Sequence, residues 1–382
     1  MTFRITAARG QLRRDGLGAG PAVKVIFDCR YTRLVRHDGI SRYTAGLVEA
    51  FSRLHPVTML INDEGQLPML PDLPWVMGRP GTSWLEPFIG MLSINKWKPD
   101  VVFSPMQTMG ATGRRYKLVL TVHDMVFYRI TKIPAGYRWF VRAVWRAFYL
   151  TYWPQRAVLA RADAVVTGSY NCEREMVEAR LTRHPPTVIR PGVVDSGLPQ
   201  RDRPQSKNLI YMGTFQPNKN VETLARGMHH LPGYTLRLLS RITAKDRERI
   251  AALAPEGSIR FDNGITDEQY RDALVDATAM VTACWDEGFG IPLIEGEAAG
   301  VPLVLSDIPL FHEVGGDAAV YFDHADPVAF AAAVRSLETP GEWRHRSELS
   351  RRQSVDFSWD ESAHRLLALL TGLVPMRESV GI

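Results

Sequence analysis

Short apolar runs alternate with amphipathic stretches of helical length along most of the chain. Residues 23–27 open the pattern as a β-rich run, a polar loop follows, and a helical pattern extends from Arg42 to about Leu54. Residues 101–103, 118–122 and 164–167 read as buried strands, residues 171–180 as a helix, and residues 188–189 as a last short strand. A second series begins with a strand at 208–212. Strands at 235–239, 279–282 and 302–305 then alternate with helices at 221–228, 266–278, 292–299 and 326–337. Thr266 and Gln269 have the spacing of a capping box. Regular alternation of this kind predicts parallel sheets covered on both faces by helices.

Between the two series, Pro185, Pro186, Pro191, Pro199 and Pro204, with Gly192 and Gly197, mark a linker. The pattern therefore predicts an α/β chain of two doubly wound, Rossmann-like domains. Residues 1–22 form a flexible basic tail interrupted by Gly10, Gly16, Gly18 and Gly20. Residues 23–198 form the first domain, completed by a C-terminal helix at 357–382, and residues 199–356 form the second. In such sheets ligands bind at the carboxyl ends of the strands, which here places them in a cleft between the domains.

Composition narrows the class. With 382 residues, 45% hydrophobic and 23% charged, the chain has enough apolar material for two cores, which excludes wholesale disorder. No stretch of about 18 uncharged apolar residues occurs, and Met1-Thr2-Phe3-Arg4 lacks the apolar region of a secretory leader. Three scattered cysteines, Cys29, Cys172 and Cys284, support neither a disulfide framework nor a zinc knuckle. A cytoplasmic, reducing location is expected. The net charge of +5 conceals an asymmetry. Residues 1–200 carry 27 Lys and Arg against 15 Asp and Glu, a balance of +12, and the remainder stands at −7. A basic first half suits an anionic surface, although simple solvated charge accounts for it equally well.

The most informative stretch is residues 286–300. Gly288 and Gly290 free the backbone for close approach to a ligand, and Pro292 suits the first turn of a helix whose unpaired N–H groups attract anions. Glu287 precedes the glycine loop and Glu295 follows it inside the helix. One carboxylate can face the reacting end of a ligand while the other accepts hydrogen bonds from a polyol such as ribose. The physics of the stretch describes a phosphate-plus-sugar site; it also fits a helix whose carboxylates merely complement its dipole.

The string from Glu287 to Glu295, followed by Ala298-Ala299-Gly300-Val301-Pro302, resembles the signature of glycosyltransferase family 4. So do, in order, the segments 39–43, 121–124, 161–163, 191–193, 213–220, 306–309 and 312–319. The resemblance implies a GT-B fold and a retaining transferase that uses a nucleotide-sugar as substrate and needs no cofactor. It assigns Lys219 to the donor diphosphate, with Gly213 and Thr214 in the phosphate loop. Glu295 goes to the ribose hydroxyls and Glu287 to the side of the transferred sugar. Gly288, Phe289, Gly290 and Ile291 contact the sugar and diphosphate. In the first domain His123 faces the donor sugar, and Gly39, Ile40, Arg42 and Asp124 lie on the acceptor side. Glu287, His123 and Lys219 form the implied catalytic set. No metal is implied, and the chain has no Asp-x-Asp triplet of the kind that metal-dependent transferases of the other major fold use.

Three departures from the family pattern stand out. Asn218 occupies a place where relatives carry arginine, Ser240-Arg241 replaces a glycine-rich turn, and Glu297 stands at an often apolar position. The family chemistry is front-face departure of the diphosphate with the acceptor hydroxyl entering on the same side. The favoured donor is GDP-mannose, by likeness to bacterial polysaccharide mannosyltransferases, and the acceptor is a glycan, lipid-linked saccharides included. In residues 137–156, Arg138, Arg142 and Arg146 share one helical face amid dense aromatics, including Trp139, Trp145 and Trp153. That composition suits an anionic membrane interface on the inner face of the plasma membrane, and it equally suits a packed amphipathic helix. Nucleic acid is not expected, because the basic and aromatic residues match no recognition motif. Two other readings share the architecture: a non-catalytic binder of a sugar nucleotide or glycan, and a nucleotide-sugar epimerase.

Overall fold

The computed structural model describes residues 23–81, 91–129 and 145–374. It contains two all-parallel sheets. In the first, β1 (Val25–Asp28), β2 (Val57–Ile61), β3 (Trp75–Met77), β4 (Val101–Ser104), β5 (Lys117–Val122), β6 (Ala164–Thr167) and β7 (Thr187–Val188) lie in the order β3-β2-β1-β4-β5-β6-β7. The second holds β8 (Asn208–Tyr211), β9 (Thr235–Leu238), β10 (Ile259–Phe261), β11 (Ala277–Thr282), β12 (Leu303–Ser306) and β13 (Ala319–Phe322) in the order β10-β9-β8-β11-β12-β13. Each order reverses once, between β1 and β4 and between β8 and β11. Each sheet therefore has one switch point where adjacent loops diverge and open a crevice.

The central strands are buried along their whole length, as strands covered on both faces must be. Four strands escape the sequence pattern. β2 starts only two residues, His55 and Pro56, after the helix Gly39–Leu54 and reads as its continuation. β3 is an edge strand with Trp75 and Met77 both exposed, and β10 is an edge strand of three residues. β13 is short and half-covered. The capping box at Thr266 and Gln269 forms, with each side chain bonded to the other's backbone N–H.

One cluster of buried side chains runs through both lobes, from Phe27, Phe51 and Phe103 to Phe289, Ile294 and Phe311. The chain crosses between lobes after β7 and returns at Phe357, whose ring packs edge-on against Phe289 at 5.8 Å. The helix Trp359–Leu373 lies against Gly39–Leu54 on the first lobe. Trp359 wedges between Gly46 and Gly192. A Cβ at Gly46 would stand 2.5 Å from its ring, and one at Gly192 would stand 2.3 Å from its backbone nitrogen. The tail 1–22, residues 137–144 of the aromatic segment and the end of the expected last helix lie outside the described residues. Leu150 and Trp153, within the segment, are among the most exposed large apolar side chains. Among the described residues no helix is long and apolar enough to cross a membrane.

Candidate active site

The strand β11 ends at Thr282, and residues 283–290 turn the chain into the helix Ile291–Ala298, the expected donor helix. Gly290 holds φ at +91°, a left-handed value that a side chain would strain. Gly288 is needed for a different reason. A Cβ there would stand 3.1 Å from Oδ2 of Asp124, which reaches over from the first lobe. Opposite this turn, β8 runs into residues 213–220. The loop is pinned at its start, where the Gly213 N–H donates to the Ser240 hydroxyl at 3.1 Å. It closes with a 3₁₀ turn at Pro217–Lys219 and a left-handed Asn220. Ser240, one of the departures from the family pattern, therefore anchors the 213–220 loop directly.

Asn218 is 3% exposed and turned inward. Its side-chain amide donates to the Asp286 carbonyl at 2.8 Å, and its backbone carbonyl accepts from the Trp285 N–H at 3.0 Å. The residue that stands in place of a phosphate-binding arginine thus ties the two glycine loops together. Lys219 projects to Glu287 and forms an ion pair with it. Burial draws the lysine pKa down, but Glu287, Cys284 and Asp124 outweigh it and hold the ammonium above its ordinary value.

The first lobe contributes the end of β5. His123 points its Nε2 at the Pro105 carbonyl, 2.6 Å away, so this nitrogen carries the proton and Nδ1 is left as an acceptor. Burial lowers the imidazole pKa despite that bond, which keeps the ring neutral at pH 7. Tyr43 meets it edge-on at 5.3 Å. Asp124 accepts the Val126 N–H at 3.1 Å, capping the short helix Val126–Arg129. Burial pushes its carboxyl from 3.8 to about 6, and nearby Glu287 and Asp286 push the same way.

These groups enclose a cavity of about 290 Å³ between the lobes, lined by Gly39, Ile40, His123, Asp124, Gly213, Thr214, Lys219, Glu287 and residues 288–293. Every sequence-predicted site residue except Arg42 and Glu295 lines it. Those two line an adjoining space of about 560 Å³, bounded also by Gly213, Thr214, Ser240, Arg241, Ile291 and Pro292. Arg42, expected on the acceptor side, lies on the first lobe and forms an ion pair with Glu295 across the lobe boundary. The reason is its position in the first turn of the helix Gly39–Leu54, which carries it over the donor helix. Burial pushes the Glu295 carboxyl up more strongly than Arg42 pulls it down, and the Tyr270 hydroxyl lies beside it.

Two further inter-lobe contacts were not legible in the sequence. Arg129 grips Asp286 through Nε at 2.5 Å and Nη2 at 2.6 Å. Glu313 accepts the N–H groups of Tyr170 and Asn171 at 2.9 and 2.8 Å, capping the helix Tyr170–Glu178 from the opposite lobe. Asp286 adjoins the glycine motif, which is a signal of sorts, but nothing in the sequence pairs it with Arg129. Among the described residues no three of His, Cys, Asp and Glu converge as a metal-binding group.

Comparison with known proteins fits this arrangement. The family described as Glycosyltransferase Family 4 matches residues 37–196, and the one described as Glycosyl transferases group 1 matches residues 206–339. O-antigen chain mannosyltransferase B of Escherichia coli is 29% identical over 208 residues, 52% of each chain. O-antigen chain mannosyltransferase RfbU of Salmonella typhimurium is 25% identical over 225 residues, 57% of this chain and 60% of that one. The matched region thus spans little more than half the length of these relatives. Among solved structures, sucrose-phosphate synthase from Thermosynechococcus elongatus superimposes with a TM-score of 0.70 at 19% identity, covering 92% of this chain and 99% of that one. Anabaena HepE in complex with UDP and glucose gives 0.68 at 13% identity, covering 91% and 99%. Both likenesses show a common fold, two Rossmann-like lobes in the GT-B arrangement.

Proposed function

The chain belongs to glycosyltransferase family 4, and on that footing we propose that it moves a hexose from a nucleotide-sugar to a glycan acceptor in polysaccharide biosynthesis, with retention at the anomeric carbon and without a divalent metal. Mannose is the favoured sugar and GDP-mannose the favoured donor, supported by the two O-antigen mannosyltransferase relatives. The observation that carries the reading is the inter-lobe cavity in which Lys219, Glu287 and the 288–290 turn of one lobe face His123 and Asp124 of the other.

In this reading the diphosphate lies against the backbone N–H groups of the 288–290 turn and the start of the donor helix, and shares Lys219 with Glu287. Charge builds on the diphosphate as the glycosidic bond breaks, and a fixed ammonium and oriented N–H groups stabilise that charge most where water is excluded. Glu287 lies beside the transferred sugar. His123 offers Nδ1 to a sugar hydroxyl, because its Nε2 proton is committed to Pro105. The acceptor hydroxyl enters from the first lobe and gives its proton to the departing phosphate oxygen. A lipid-linked acceptor, and contact with an anionic membrane surface, are supported by the exposed Leu150 and Trp153. Co-sedimentation with vesicles containing anionic lipid, absent for neutral vesicles, tests that contact.

The deciding experiment incubates the protein with labelled GDP-mannose, GDP-glucose, UDP-glucose and UDP-GlcNAc and a panel of glycan acceptors, with and without EDTA. Transfer that survives the chelator is expected. Isomerised donor would identify an epimerase, binding without turnover a non-catalytic relative, and strict magnesium or manganese dependence would remove the metal-free mechanism.

A further inference from the structure

A nucleoside diphosphate brings two to three negative charges into a site where the second lobe offers Lys219 as the cation lining the 290 Å³ cavity. Asn218 adds none, since it is buried and bonded inward to Asp286. Two guanidinium groups border the adjoining space along with Gly213 and Thr214 of the phosphate loop and Ile291 and Pro292 of the donor helix: Arg241 and Arg42. Arg241 follows β9 and lies along Gly264, which follows β10, so it sits on the β9–β10 side of the sheet, away from the β8–β11 switch point where the phosphate loop meets the donor helix. Arg42 is held on the donor helix itself, by Glu295.

We propose that Arg42 is the second phosphate-binding cation of the donor site, supplied by the first lobe in place of the arginine that Asn218 replaces. The inference rests on the donor-site reading given above. A guanidinium has five N–H donors in a planar fork, and the Glu295 contact engages Nη1. The side chain is 30% exposed and borders both this space and a second cleft lined by Tyr270 and Glu295. One oxygen of Glu295 takes Arg42, and Oε2 lies buried beside the Tyr270 hydroxyl, so the carboxylate is held on both sides and keeps the guanidinium where the donor helix meets the phosphate loop. The second charge is then present only when the lobes are together, which couples neutralisation of the leaving diphosphate to closure of the cleft.

The test is calorimetric titration of the full chain with GDP, UDP and ADP, and with guanosine, uridine and adenosine. The proteins are the wild type, Arg42→Ala, Arg42→Gln, Arg42→Lys and Lys219→Ala. Arg42→Gln keeps a hydrogen bond to Glu295 without the charge, which covers the case in which Arg42→Ala does not fold. Affinity for the diphosphate that binds wild type is expected to fall at least about tenfold in Arg42→Ala and Arg42→Gln, and far less in Arg42→Lys. The matching nucleoside is expected to bind all of them about equally, and the acceptor KM to stay unchanged. Equal loss of nucleoside and diphosphate would reduce Arg42 to a support for Glu295. Unchanged diphosphate affinity, or a raised acceptor KM alone, would also overturn the inference. If no diphosphate binds wild type, or Lys219→Ala leaves diphosphate affinity intact, the donor-site reading fails as a whole. Loss in Lys219→Ala but not in the Arg42 variants sinks the Arg42 assignment alone.

Discussion

Lys219, in the 213–220 loop, pairs with Glu287, so the proposed phosphate cation is also the counter-ion of the carboxylate proposed to lie beside the sugar. Lys219→Ala should therefore lower kcat/KM by at least about tenfold, or about 1.4 kcal/mol of transition-state stabilisation, while the protein stays folded. Steady-state kinetics on a variant with wild-type circular dichroism checks this, and unchanged turnover would remove Lys219 from the mechanism. Asp124 makes a prediction of the opposite kind. Its folded-state pKa, about 6 against an ordinary 3.8, means that the folded chain holds this proton more tightly than the unfolded one. The stabilisation this provides is complete below about pH 4 and is lost as pH rises to about 6. Asp124→Asn should accordingly melt a few degrees above wild type at pH 7.5 and show no such gain at pH 4.5. An equal shift at both pH values would mean that the charge of Asp124 carries no such cost. Glu297 is fully buried with both oxygens unpartnered among the described residues, and burial pushes its carboxyl pKa well up.

At the scale of elements, glycine positions separate what the motif announces from what packing imposes. Gly290 belongs to the motif and its left-handed φ explains it locally. Gly192 lies in the linker and has no unusual φ. It is required because Trp359, 167 residues later, brings its backbone to within 2.3 Å of where a Cβ would stand. Backbone cannot swing aside as a long side chain does, so Gly192→Ala should destabilise the protein by roughly 1–3 kcal/mol. Urea unfolding measures this, and a loss below about 0.5 kcal/mol would show that the junction has slack. Long or strongly patterned elements were legible in the sequence, among them the central strands and the capped helix Asp267–Asp276. The missed strands are short, lie at or near sheet edges, or, in β2, run on from a helix with only two residues between. A local window holds too few positions there for a period of two to show.

The whole molecule is drawn together by contacts whose members are far apart in sequence. Arg129 bonds to Asp286, Arg42 to Glu295, and Glu313 to the start of the helix Tyr170–Glu178. The 2.5 and 2.6 Å grip of Arg129 on Asp286 ties the first lobe to the residue before Glu287. Arg129→Gln should loosen closure and admit water, so hydrolysis of the donor should rise relative to transfer by several-fold or more. Measuring free sugar against glycosylated acceptor gives the ratio, and an unchanged ratio would mean that this bridge does not govern closure.

The two-lobed α/β architecture and the family were legible in the residue pattern. These depend on local periodicity, on turn chemistry and on a signature contained in a few contiguous segments. The inward-facing Asn218, the Ser240 anchor of the 213–220 loop and the Arg42–Glu295 pair follow from tertiary packing alone. Each depends on which loops the fold brings together, within the second sheet for Asn218 and Ser240 and across the two sheets for Arg42, and no spacing along the chain records that distance.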